Sequence, residues 1–199
     1  MEPPSYRGYR YPAEVIGHCV WLYHRFALSL RDVEELMLER GVEVTYETIR
    51  QWSITFGSDY ARRLRRRRPN PGEDKWHLDE AFIKIQGEHK YLWRAVDQNG
   101  MVLDTLVQHK RDKAAASRFF NHKGLNNRAE NSHQPTRERE RAMKGFRSVG
   151  TAQRFLGALS YISPHFRQRR HLLTASDYRQ EMKTRFAEWN TVTGVSATG

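Results

Sequence analysis

The chain has 199 residues, a formal charge of +11 and a sequence pI of about 10.0. That length suits one domain or two small ones around a packed core, and so basic a balance points to a polyanionic partner. A single cysteine, Cys19, excludes a disulfide framework and a thiolate zinc site; no apolar run approaches a membrane span, and Met1-Glu2-Pro3-Pro4 does not open a signal peptide. A cytoplasmic protein with no membrane partner is expected, with Cys19 as a small core residue in a reducing compartment.

From Tyr11 to Tyr60 the pattern is helical. Val15, Cys19, Leu22 and Phe26 recur at helical spacing, as do Ile16, Val20 and Tyr23. Ser29 is placed to cap a second helix, with Asp32 three residues on, and Val33, Leu36 and Met37 form its apolar stripe. Gly41 marks the end of that helix, as a residue that adopts a left-handed turn. Thr45 then opens a third helix, with Ile49, Trp52 or Ser53, and Phe56 facing inward and Tyr46, Glu47, Arg50 and Gln51 facing outward. Two amphipathic helices around a tight glycine turn predict a helix-turn-helix, in which Arg50 and Gln51 have the side chains for bidentate contacts with base edges. An ordinary helical hairpin with solvated polar residues fits the same pattern.

Arg62-Arg63-Leu64-Arg65-Arg66-Arg67-Arg68 follows directly. Charges of one sign at this density repel one another, and an anion compensates them. A solvated charge run is the plainer reading in isolation; beside a helix-turn-helix, phosphate contact is the better one. Pro69-Asn70-Pro71-Gly72 ends the helix and forms a linker.

The period then changes. Lys75 to Gln86 reads as a strand, Gly87-Glu88 as a hairpin turn, Tyr91 to Val96 as a second strand, Asn99-Gly100 as a second turn and Met101 to Val107 as a third strand. Lys113 to Phe120 is helical in pattern, and Asn126 to Arg147 helical in tendency with an interruption at Pro135. Thr151 to Tyr161 is amphipathic, Pro164 to His171 a basic loop, Ser176 to Trp189 a terminal helix, and Thr191 to Gly199 a small, polar, disordered tail.

Two acidic motifs stand out. Trp76-His77-Leu78-Asp79-Glu80 opens the first strand, and Asn126-Asn127-Arg128-Ala129-Glu130-Asn131-Ser132-His133 opens a helical run. Carboxylates on two rigid elements can share a divalent cation. Asp79 interrupts an aromatic-rich strand, where acids are depleted, which favours a metal role. Glu80 falls on the opposite face and is expected in solvent or paired with a lysine. Glu130 also fits a capping-box pattern as Asn127-Arg128-Ala129-Glu130. Asp97 reads as a turn-entry residue and Asp104 falls within the third strand, so neither is expected to complete the site. His77, His89, His109, His122, His133, His165 and His171 lack zinc-site spacing. Arg137, Arg139, Arg141 and Lys144 follow Glu130 and suit phosphate contacts; ion pairs with Glu138 and Glu140 suit them equally.

With Tyr11-Pro12-Ala13-Glu14-Val15-Ile16, Ser29-Leu30-Arg31-Asp32-Val33-Glu34-Glu35-Leu36, Val96-Asp97-Gln98-Asn99-Gly100 and the span from Asn126 to Phe146, these motifs resemble the bacterial insertion-sequence transposases of the DDE type, in particular the compact group that forms cointegrates. The resemblance implies an α+β (or α/β) chain. A helix-turn-helix with its arginine run would occupy 11–68, and a ribonuclease-H-like domain with a three-stranded antiparallel sheet and C-terminal helices would occupy 73–190. It also implies double-stranded DNA, the terminal repeats of an insertion sequence, as partner, with a homo-oligomer as the working form and a nucleoid-associated location. By motif match Asp79 is the first catalytic, metal-binding carboxylate and Glu130 the last, with Mg2+ or Mn2+ as cofactor. The family's second carboxylate, at the end of a fourth strand, has no match here. The resemblance therefore implies an in-frame deletion between Phe120 and Asn121, which removes the fourth and fifth strands, leaves a two-ion site incomplete and impairs catalysis in this copy. On that reading Arg50, Gln51, Arg62, Arg63, Arg65, Arg66, Arg67, Arg68, Arg137, Arg141 and Lys144 contact DNA. A DNA-binding remnant that regulates transposition without catalysis is the alternative.

Overall fold

The computed structural model describes residues 4–67, 77–97, 102–112, 114, 145–167 and 172–195, with the backbone alone at 77–79. These residues form five helices and one three-stranded sheet, grouped into two compact units: Met1–Arg67 with Tyr161–Gly199, and Arg68–Ser160. The sequence reading instead divides the chain near residue 70 and assigns 73–190 to a single domain. The predicted helices at 113–120 and 126–147 fall outside the described residues, apart from 114 and 145–147; the last three are not helical, because Gly145 takes a φ of 87° and Phe146 bridges Ile85.

In the first unit, α1 (Ala13–Arg25), α2 (Leu30–Glu39) and α3 (Tyr46–Arg67) pack on one another. α2 begins with a full capping box: Ser29 Oγ accepts the Asp32 N–H at 3.2 Å, and the Asp32 carboxylate accepts the Ser29 N–H at 2.7 Å. It ends at Gly41, with φ of 76°; the Gly41 N–H donates to Leu38 O and the Val42 N–H to Met37 O, a Schellman closure that only a left-handed residue permits. The Thr48 N–H donates to Thr45 Oγ1 at 3.3 Å, which caps α3 as expected. Ile49, Trp52, Ser53, Phe56, Gly57, Tyr60, Ala61 and Leu64 then line one side of α3 over its whole length, so Trp52 and Ser53 are both buried. Ile16, Cys19 and Val20 of α1 and Val33 and Met37 of α2 join this core.

Two predicted stripe residues are corrected. Phe26 is 41% exposed, because the backbone turns extended there and the ring is left outside the helix, edge-on to Trp21. Leu36 is 40% exposed, because the i, i+4 pair Val33 and Met37 already fills the buried stripe of this short helix.

The C-terminal end of the chain belongs to this first unit. α4 (Val149–His165) contributes Tyr161–His165, and α5 (Ala175–Thr193) is capped by Thr174, whose side chain accepts the Asp177 N–H at 3.1 Å. The sequence reading ends the terminal helix at Trp189 and begins a disordered tail at 191. The helix continues to Thr193 and closes on Gly194, at φ of 72°. The cause is burial: Trp189, Val192 and Thr193 pack inward, although the local sequence is small and polar. The Tyr6 hydroxyl donates to Thr193 O at 2.5 Å and lies 2.6 Å from the Tyr60 hydroxyl; burial raises the pKa of both phenols. The Trp189 ring stands edge-on to Tyr60 at 5.2 Å. The predicted loop at Pro164 also starts late: α4 reaches His165, and the Phe166 and Arg167 N–H groups continue to Ser163 O and Pro164 O.

In the second unit, β1 (His77–Ile85), β2 (Glu88–Val96) and β3 (Val102–Gln108) form an antiparallel sheet in the order β1-β2-β3. Ile85 faces Glu88, so the first turn is Gln86-Gly87, one residue earlier than predicted, with φ of 52° and 83°. Two successive positive φ values match the twist of the flanking strands, and glycine supplies the second without strain. Ala81, Ile83 and Ile85 are buried while Phe82 and Lys84 alternate outward. Leu92 through Val96 are buried on both sides, as befits the central strand.

The first turns of α4 cover β3. Gln153 pairs with the outer edge of β3: its Oε1 accepts the Val107 N–H at 2.7 Å and its Nε2 donates to Thr105 O at 2.6 Å. Thr105 and Ser160 hydroxyls meet at 2.9 Å. At the hairpin end, the Gln86 N–H donates to Phe146 O, and Ile85 bridges Phe146 in parallel fashion. Among the described residues no helix is long and apolar enough to cross a membrane.

Candidate nucleic-acid interface and acidic positions

The outward face of α3 begins at its first residue. Tyr46 donates its N–H to Glu34 Oε1 at 3.1 Å, and the Arg31 guanidinium lies over its ring. Both predicted base-reading side chains converge on one carboxylate. Arg50 Nε donates to Glu47 Oε2 at 2.8 Å, Arg50 Nη2 to Glu47 Oε1 at 2.6 Å, and Gln51 Nε2 to that same Oε1 at 3.1 Å. The bond from Glu47 raises the Arg50 pKa above its ordinary value.

The arginine run splits by helical position. Arg62 and Arg63 both pair with Asp59, Arg63 Nε at 2.6 Å. Arg63 is half-buried beside that acid, whereas Arg62, Arg65, Arg66 and Arg67 are exposed. Arg65 stacks over the Tyr161 ring at 5.8 Å, and Arg67 Nη1 reaches Glu188 O at 3.5 Å. Asp59 was not singled out in the sequence, though its i+3 and i+4 spacing to Arg62 and Arg63 carries the signal. Arg68 lies outside the described residues.

Asp79 sits in β1 with Arg94 directly opposite in register, and Thr105 of β3 opposite Arg94 in turn. Strand alternation assigns position 79 to the row of Ala81, Ile83 and Ile85. Arg94 is only 7% exposed, and Thr105 is buried beneath Ser160 of α4. A band of polar positions therefore crosses the sheet beside an apolar one. Glu80, on the other face, pairs with Arg111 at 3.0 Å, an arginine in place of the expected lysine. Asp104 accepts the Thr105 N–H at 2.7 Å, and Asp97 follows the last residue of β2. Neither lies in the register row of Asp79.

Glu130, Arg137, Arg141 and Lys144 lie outside the described residues, as do His122, His133 and His171. His165 is buried, with Nε2 3.0 Å from Arg185 O. Among the described residues no group of three His, Cys, Asp or Glu side chains could hold a metal ion. These residues alone do not assemble a two-ion donor set.

Residues 73–123 match the DDE domain family. The chain is similar to the transposase for insertion sequence-like element IS431mec of Staphylococcus aureus, with 33% identity over 115 residues, which cover 58% of this chain and 51% of the relative. The same identity and coverage hold for the transposase for insertion sequence element IS257 in transposon Tn4003, also from Staphylococcus aureus. An uncharacterized protein of Yersinia pseudotuberculosis, pYV0051, is 38% identical over 48 residues, 24% of this chain and 45% of its own length. The chain spans about half the length of the curated transposases it matches.

Proposed function

Starting from its kinship with the insertion-sequence DDE transposases, we propose that this chain binds the terminal repeats of an insertion sequence and carries a strand-transfer domain whose acidic set is incomplete. The observation that carries the reading is the DDE domain match over 73–123, which contains β1 with Asp79 and both hairpins that follow it. In strand transfer a DNA hydroxyl attacks a phosphodiester; a new phosphorus–oxygen bond forms and the old one breaks, leaving its oxygen with the displaced strand. Bound Mg2+ or Mn2+ would supply activation of the attacking oxygen and charge stabilisation at the leaving one. Asp79 and Glu130 are the two positions that would hold it, within a ribonuclease-H-like domain shortened between Phe120 and Asn121. With two carboxylates in place of three, catalysis is impaired.

The α2–α3 pair acts as a helix-turn-helix reader, with Arg50 and Gln51 toward the bases. The exposed arginines of the run, together with Arg68, Arg137, Arg141 and Lys144, lie along phosphates, and the chain works as a homo-oligomer. Support comes from the net charge and from the exposure of Arg62, Arg65, Arg66 and Arg67. A strand-transfer assay with Mg2+ or Mn2+ tests the enzymatic half, with Asp79→Ala as control. The expected result is joining far below that of a complete relative. Robust joining that depends on Asp79 would mean that another acid fills the gap. A second reading, a DNA-binding regulator without catalysis, draws on the unmatched second carboxylate; DNA binding with no joining in either metal would favour it.

A further inference from the structure

A guanidinium offers two edges that each engage a pair of acceptors: a side edge, Nε with Nη2, and an end edge, Nη1 with Nη2. Glu47 takes the side edge of Arg50 with both of its oxygens. Nη1 of Arg50 makes no hydrogen bond among the described residues, so the end edge is left over. Gln51 is tied to the same carboxylate.

We propose that Glu47 is a positioning residue for base recognition: it braces Arg50 from the side so that the end edge meets one guanine, whose O6 and N7 accept a bidentate pair. The inference rests on the DNA-reading assignment of α3. An unbraced arginine has to surrender rotamer freedom on binding; a braced one has surrendered it beforehand. The brace also carries a negative charge on the face offered to DNA, which opposes phosphate. Glu47 therefore sharpens the choice of sequence while weakening attachment to DNA in general. Those two effects have opposite signs, and a residue that merely supported the helix would not produce both. As an exposed i, i+3 pair, Glu47–Arg50 contributes little to folding, so truncating it leaves the fold in place.

The test uses the full chain on a duplex library with a randomised core, followed by titrations on the selected duplex and on duplexes with single base-pair changes. Wild type, Glu47→Ala, Arg50→Ala and the double variant are compared, with thermal melting as the check on folding. Glu47→Ala is expected to bind unselected duplex as well as or better than wild type, and to lose about tenfold or more of the preference at one G·C pair. The double variant is expected to lose no more than Arg50→Ala alone. Full retention of the preference in Glu47→Ala, or losses that add in the double variant, would overturn the brace. If wild type shows no sequence preference, or Arg50→Ala leaves it unchanged, the DNA-reading assignment of α3 falls and takes the brace with it.

Discussion

Gln153 is the side chain on which the edge of β3 most directly depends. Gln153→Leu keeps the bulk and removes both hydrogen bonds, to the Val107 N–H and the Thr105 carbonyl. Thr105 and Val107 are buried, so water does not step in. A buried backbone group left unsatisfied costs roughly 1–3 kcal/mol, which for two groups puts the expected loss at about 2–6 kcal/mol. Gln153→Glu adds a directional check. Ionised, it still accepts from Val107 but repels the Thr105 carbonyl; protonated, it donates to that carbonyl and restores both bonds. Its folded pKa is thus raised, so the stability it contributes is present below the unfolded value of about 4.3 and is lost as pH rises through the folded pKa. Urea titration, with amide exchange at Val107 as a local probe, measures both variants, and exposed Arg154→Leu serves as a control expected to stay within about 0.5 kcal/mol. A Gln153→Leu variant that matches the control, with Val107 still slow to exchange, would show that Gln153 does not close the edge.

Replacing Arg62, Arg65, Arg66 and Arg67 by glutamine is expected to weaken binding to all duplexes and to flatten the salt dependence by a slope of roughly 0.9 per lost phosphate contact; Arg63→Gln, held by Asp59, should alter melting temperature more than that slope. Ser29→Ala removes half of the α2 capping box and should cost about 1 kcal/mol in a denaturant titration. Burial pushes the Cys19 thiol up to about 12, so it should resist thiol reagents at neutral pH until the chain unfolds. With the folded value above the unfolded one, its contribution to stability is full below about pH 8.5 and declines as pH rises toward 12, a decline that Cys19→Ala should remove.

Local chemistry was legible where one residue type answers one backbone need. Ser29 with Asp32, Gly41 and Thr45 announced their caps and turn, and alternation announced three strands, the first and third to within two residues and the second with its start three residues late. The first hairpin turn was misplaced by one because Gln86 tolerates a positive φ that its residue type does not advertise. Phe26 and Leu36 look like core by spacing, yet burial is decided by which neighbours have already filled the stripe. Gln153 gave no signal at all, since a glutamine in a helix carries no mark of the strand edge it will cover. The return of 161–195 to the N-terminal helices was equally silent, because pairing across so long a stretch leaves no periodicity. Asp79 stood out only as an acid within an aromatic strand; its role came from resemblance, and the strand register adds Arg94 across from it.

The contact of Tyr6 and Tyr60 with Thr193 has a consequence in time. During synthesis, Met1–Arg67 leaves the ribosome with the Tyr60 side of α3 still uncovered, and the helix that seals it is among the last parts of this sequence to be translated. At roughly 5–20 residues per second, the interval between Arg67 and Thr193 is on the order of ten seconds. Over that interval Tyr60 lacks the Trp189 ring that stands against it in the complete fold, and its side of α3 is open to water and to other nascent chains. A fragment ending at residue 68 makes that state permanent, so it should be looser than the same helices in the full chain. Joining 161–195 to it through a short linker should restore a cooperative melt.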